Sequence, residues 1–156
     1  MPTNSKHIFV QVNTDAIIDI SRKYEGNFPE GAQLDQTIIY DQGSMVLGSP
    51  IKELYIDVEP GQQLYITILP LMLYGYHKVY FTDFVPESPS SVINKLPEFN
   101  SHVVSFSLDV DTEAHVGAQE RFGLKAVLEY SDGDGNILTI DMDIDPVLRV
   151  IQRRQK

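Results

Sequence analysis

The stretch that decides the fold is Phe122-Gly-Leu-Lys-Ala-Val-Leu-Glu-Tyr130, then Ser131-Asp-Gly-Asp-Gly-Asn136, then Ile137-Leu-Thr-Ile-Asp-Met-Asp-Ile144. Phe122, Leu124, Ala126, Leu128 and Tyr130 fall at every second position, and Ile140, Met142 and Ile144 alternate with Asp141, Asp143 and Asp145. Successive side chains of a strand point to opposite faces, so each run has one greasy and one wet face. Between them Asp132-Gly-Asp-Gly-Asn136 supplies residues that tolerate positive φ, the signature of a β-hairpin connection.

The same rhythm extends outward along the chain. Ile8, Val10 and Val12 alternate with Phe9, Gln11 and Asn13. Leu54, Ile56 and Val58 alternate with Tyr55, Asp57 and Glu59. Leu64, Ile66 and Ile68 alternate with Tyr65, Thr67 and Leu69. Val104, Phe106, Leu108 and Val110 form a further set. Strands wet on one face read as antiparallel, because parallel strands buried on both faces give continuous apolar runs. Glu59-Pro60-Gly61-Gln62 reads as a type II turn joining a second hairpin, with Pro60 presetting φ and Gly61 accepting φ > 0. Helical spacing is confined to Thr14–Tyr24, where Ile17, Ile18, Ile20 and Tyr24 follow Thr14 or Asp15 as cap. Pro86, Pro89 and Pro97 mark a crossover between halves, with Pro89–Leu96 able to form one helical turn capped by Ser88. The expected fold is all-β: an antiparallel β-sandwich of about seven to nine strands with at most one or two short helices. No linker interrupts it, so residues 1–156 are read as a single domain.

Composition removes several classes of function. Twelve Lys+Arg against 22 Asp+Glu give a net charge of −10, which opposes binding to nucleic acid or an anionic membrane. An apolar share of 42% is too high for a disordered chain. With no cysteine there is no disulfide, thiolate nucleophile or cysteine zinc site. The longest apolar region, Leu64–Tyr76, is broken by Thr67, Pro70 and Gly75 and falls short of the ~20 residues that span a bilayer. Met1–Lys6 is polar and Ile8–Val12 contains Gln11, unlike a secretory signal. A cytoplasmic protein is expected.

Catalytic motifs are scarce. Gly43–Gly48 has the spacing of a phosphate-binding loop, but Ser49-Pro50 replaces the lysine that would neutralise phosphate. There is no G-x-G-x-x-G, no G-x-S-x-G and no H-E-x-x-H, and His7, His77, His102 and His115 are not paired on one face. No enzyme is expected. Two features stand out instead. Asp132 and Asp134 precede Asp141 and Asp143, a set of carboxylates that needs solvent, basic neighbours or a cation; calcium takes six to eight oxygens and is the cofactor such a set would hold. Asp109, Asp111 and Glu113 form a second acidic row. The other feature is aromatic: Leu71, Tyr74, Tyr76 and Tyr80, continuing to Phe81 and Phe84, after the break at Pro70. Such residues are enriched at interfaces, so this surface is the candidate contact for a small-molecule or glycan ligand or a second subunit, with core packing the plainer alternative. Arg149, Arg153, Arg154 and Lys156 form a basic tail able to meet an acidic row on a neighbour.

The opening Ile8-Phe-Val-Gln-Val-Asn-Thr-Asp-Ala-Ile17, the unit Leu54–Ile68 around Pro60-Gly61, and the ending Leu124–Tyr130, Asp132–Asn136 and Asp143-Ile-Asp-Pro-Val-Leu-Arg-Val150 together resemble, in order, the bacterial inclusion-body protein family of AidA/PixA type. The chain departs from that pattern in having no Trp, with Ile144 where the family's terminal motif often has an aromatic and Tyr65 near a common Trp position, and its four Met are too few to match the methionine-rich members. The resemblance implies a small cytoplasmic β-sandwich that accumulates or assembles as a homo-oligomer, with no catalytic residues to carry over. A carbohydrate- or calcium-dependent binding module is the alternative.

Overall fold

The computed structural model describes residues 5–28, 36–41, 55–71, 77–86, 92–93, 95–99 and 102–152. Within them lie nine strands and one helix: β1 (Ser5–Val12), α1 (Thr14–Lys23), β2 (Thr37–Asp41), β3 (Tyr55–Val58), β4 (Gln63–Pro70), β5 (Lys78–Pro86), β6 (Ser105–Asp109), β7 (Gln119–Ser131), β8 (Ile137–Ile144) and β9 (Val147–Val150). They sort into a sheet of order β2-β1-β4-β6 and a sheet of order β3-β9-β7-β5, with β8 also on β7. The alternating positions build the core: Ile8, Val10 and Val12 from β1, Leu64, Ile66 and Ile68 from β4, and Phe122, Leu124, Ala126, Leu128 and Tyr130 from β7 join one buried cluster. Burying each such side chain stabilises the fold by about 1.5–3 kcal/mol.

The hairpin at Asp132–Asn136 is present as read. β7 and β8 pair antiparallel from Leu124↔Ile144 to Ser131↔Ile137. β9 continues the same line along β7, pairing Gln119↔Arg149 and Arg121↔Val147 in unchanged register. Pro146, which has no N–H to donate, interrupts the strand between them, yet its carbonyl still accepts from the Phe122 N–H at 3.2 Å.

Three expectations need correction. The sheets are mixed: β1 runs parallel to β4 and β3 parallel to β9. Alternation reports only that one face is wet; here the parallel pairs lie in sheets that each bury one face, so the pattern carries no direction. Second, Glu59–Gln62 turns but makes no hairpin. The Gln62 N–H donates to the Glu59 carbonyl at 3.0 Å and Gly61 has φ +78, as a type II turn needs. However, β3 and β4 belong to different sheets, so the turn is an arch across the sandwich. Gly61 N–H donates to the Val110 carbonyl at 3.2 Å, tying the arch to the segment after β6. Third, the cap of α1 is Asn13, not Thr14 or Asp15. The Asn13 side chain accepts from Ala16 N–H at 3.2 Å, while Asp15 in the first turn and Arg22 and Lys23 in the last suit the helix dipole. Ile17 and Ile18 are buried beneath the helix.

Leu54, Gly43–Gly48, Arg153, Arg154, Lys156 and half of Pro89–Leu96 lie outside the described residues. Arg149 is no free tail residue: its Nε donates to Asp57 Oδ1 at 2.7 Å across the β3–β9 pair, and its guanidinium lies over the Tyr55 ring at 5.0 Å.

Candidate binding cleft

β4 ends at Pro70 and β5 begins at Lys78, and between these ends lies a cleft of about 440 Å³. Ile68, Pro70, Val79 and Val104 form its apolar wall, and His77, Lys78, Tyr80, His102 and Glu129 bring polar groups to it. That size, and an apolar lining with a few convergent polar groups, is the usual form of a small-molecule site.

Each polar group arrives by a different route. Tyr80 alternates with Val79 and Phe81 on β5; those two enter the core cluster, whereas Tyr80 is buried without joining it. Glu129 reaches the same place through the β5–β7 register, in which Lys78 faces Glu129 and Tyr80 faces Val127. His102 comes from the run into β6: Phe81 N–H donates to the Val103 carbonyl at 2.7 Å, and Val103 N–H returns to the Phe81 carbonyl at 3.2 Å. That bridge lays the 102–104 segment along β5, and Ile68 N–H donates to the Val104 carbonyl at 2.9 Å on its other flank. The segment therefore joins the two sheets at this corner. His77 is fixed from α1: its Nδ1 is 2.8 Å from Thr14 Oγ1 and 3.6 Å from Asp15 Oδ1. Thr14, displaced from the capping role, is thus the residue that holds His77.

The Tyr80 hydroxyl donates to Glu129 Oε1 at 2.6 Å, and the His102 ring lies on the phenol with centroids 3.9 Å apart, tilted by 56°. Burial first, then the hydrogen bond to Glu129 and the charges of Glu129 and Asp141, push the phenol up to about 12. All of these penalise a phenolate, so Tyr80 stays a hydrogen-bond donor at physiological pH. Among the described residues, Glu129 Oε2 and the ring nitrogens of His102 have no hydrogen-bond partner.

The aromatic surface read from the sequence divides here. Tyr80 is in the cleft. Leu71 follows the lining residue Pro70 and is 40% exposed. Phe81 and Phe84 are core residues. Tyr74 and Tyr76 lie outside the described residues. Sequence reasoning missed His77, His102 and Glu129 as a set. Glu129 alternates with core residues of β7, which places it on the opposite face; the histidines carry no such signal.

The carboxylates proposed for calcium do not converge. Asp132 Oδ1 accepts from the N–H groups of Asp134 at 2.8 Å and Asn136 at 3.1 Å, and Oδ2 from Asn136 Nδ2 at 3.0 Å. The Asn136 side chain, then the Asp134 N–H, hold the Asp132 carboxyl below the usual range. Asp132 therefore closes its own turn, which it shares with Asp134. Asp141 and Asp143 sit down the strand opposite Val127 and Lys125. No group of three or more His, Asp or Glu able to hold a metal forms among the described residues. In the second acidic row, Asp111 Oδ1 accepts from Glu113 N–H at 2.9 Å. No described helix is long and apolar enough to cross a membrane.

Comparison with known proteins defines a class of fold. The chain matches the crystal structure of an inclusion body protein (PixA) from Burkholderia cenocepacia with a TM-score of 0.65, covering 96% of this chain and 97% of that one at 11% identity. No family model and no curated protein matches the sequence. The shared feature is therefore the fold, over nearly the whole of both chains.

Proposed function

We propose that the chain is a cytoplasmic, non-catalytic protein of the inclusion-body type that acts by self-association as a homo-oligomer. The observation that carries this reading is the fold agreement over 96% of the chain with an inclusion body protein. The order of short motifs described above supports it from the sequence side. A chain of net charge −10 self-associates against its own repulsion, so assembly should strengthen with salt. Size-exclusion chromatography with light scattering, over rising protein concentration and at low and high salt, tests this. Concentration-dependent oligomers favoured by salt are expected. A strict monomer under all conditions would overturn the reading.

A ligand-binding role is the second reading, and the cleft between β4 and β5 favours it. The calcium-dependent version rests on carboxylates that stand apart, so a ligand held by the cleft itself is the stronger form.

A further inference from the structure

The cleft has a polarity that selects a ligand. At its polar end Glu129 offers Oε2, since Oε1 is taken by the Tyr80 hydroxyl at 2.6 Å. With its hydrogen committed to that bond, the Tyr80 oxygen faces other groups as an acceptor. Lys78, the cross-strand partner of Glu129, would be the obvious ion pair for it, yet the two form none among the described residues. Asp141 adds negative charge close enough to act on Tyr80. Lys78 also lines the cleft and is exposed, and the remaining walls, Ile68, Pro70, Val79 and Val104, are apolar.

We propose that this cleft binds a small amphiphilic amine, its ammonium donating to Glu129 Oε2 and the Tyr80 phenol oxygen and its apolar body resting on Ile68, Val79 and Val104. An organic acid of the same shape would set its carboxylate against Glu129, and a neutral alcohol would forgo the charge-assisted bond. The volume, about 440 Å³, suits a ligand with one ring or a short chain. The proposal is independent of self-association: a monomer that binds amines leaves it intact, as does an oligomer.

Phenethylamine, 2-phenylethanol and phenylacetate share one ring and differ in the polar end, and titration calorimetry near neutral pH compares them. Phenethylamine should bind saturably, the alcohol at least about tenfold more weakly, and the acid not at all. Glu129→Gln keeps an acceptor for Tyr80 but removes the charge; it should weaken the amine by about tenfold and abolish its advantage over the alcohol. Amide shifts in wild-type protein titrated with phenethylamine should concentrate at Ile68, Tyr80, His102 and Val104, a readout that needs no variant. Absence of saturable amine binding, tighter binding of the acid or alcohol, unchanged amine affinity in folded Glu129→Gln, or shifts centred elsewhere would each overturn the assignment.

Discussion

Tyr80 and Phe81 are neighbours on β5, and both are almost wholly buried, at 7% and 0% exposure. They are buried for opposite reasons. Phe81 points into the sandwich, edge-on to Phe106 at 5.2 Å and stacked with Phe99 at 6.4 Å. Tyr80 points the other way and is covered by one histidine ring and one carboxylate. The backbone bridge between Phe81 and Val103 serves both: it pins the edge of the core and, one residue earlier, lays His102 on Tyr80. The lesson is a division of labour on one strand. The inner face sets stability and tolerates little chemistry, while the outer face can carry polar groups because the inner face already holds the strand in place.

Truncating the inner residue gives the largest expected effect. Phe81→Ala leaves a cavity facing Phe99 and Phe106 and should destabilise by about 3–5 kcal/mol, as ring deletions in cores do. Urea denaturation would show a lower midpoint with an unchanged slope. A loss below about 1 kcal/mol would mean that the inner face is not the stabilising one, and the contrast with Tyr80 would collapse.

The outer residue should respond more weakly and, unlike Phe81, as a function of pH. Tyr80→Phe removes one hydrogen bond to a carboxylate, worth about 1.5–3 kcal/mol. The phenol is raised from 10.0 to about 12 in the fold, so the folded state favours the protonated form. Its contribution is whole below pH 10 and is lost as pH rises through 12. The stability gap between wild type and Tyr80→Phe should therefore be flat up to about pH 10 and then close. Denaturation curves at stepped alkaline pH, paired with phenolate absorbance, measure this. A gap that widens above pH 10 would show that Tyr80 is not held as a donor.

The inner face was legible in the sequence and the outer one mostly was not. Phe122, Leu124, Ala126, Leu128 and Tyr130 announced a strand and its buried side, because burial on one face imposes a period of two on the chain. The same rule reads Glu59–Gln62 and Asp132–Asn136 alike, as turns between alternating strands. One is a hairpin and the other an arch, because sheet membership is decided by partners elsewhere: β9 claims β3, and β1 claims β4. The cleft was hidden for the same reason. Tyr80 and Glu129 are 49 residues apart, and His102 reaches them only through the bridge at Val103. Local pattern records which face is wet; it does not record which distant wet residues meet.

The mildest test asks how much freedom the outer face of β7 retains beyond the cleft. Gly123 faces Val85 across the β5 pair and Asp145 beside β8, and lacks a side chain. A Cβ there would meet Asp145 Oδ1 at 3.5 Å, the Val85 carbonyl oxygen at 3.6 Å and Val85 Cβ at 3.8 Å, all ordinary contact distances. Its φ is not among the positive values found for Gly61, Gly133 and Gly135, so alanine brings no backbone strain. Alanine would also reduce the entropy of the unfolded chain, a gain of about 0.4–1 kcal/mol at compatible sites. Gly123→Ala should therefore raise the melting temperature slightly and leave the cleft unaltered. A loss of stability would show that the outer face is packed as strictly as the inner one, and that the freedom to carry polar groups is confined to the corner where β4, β5 and the 102–104 segment meet.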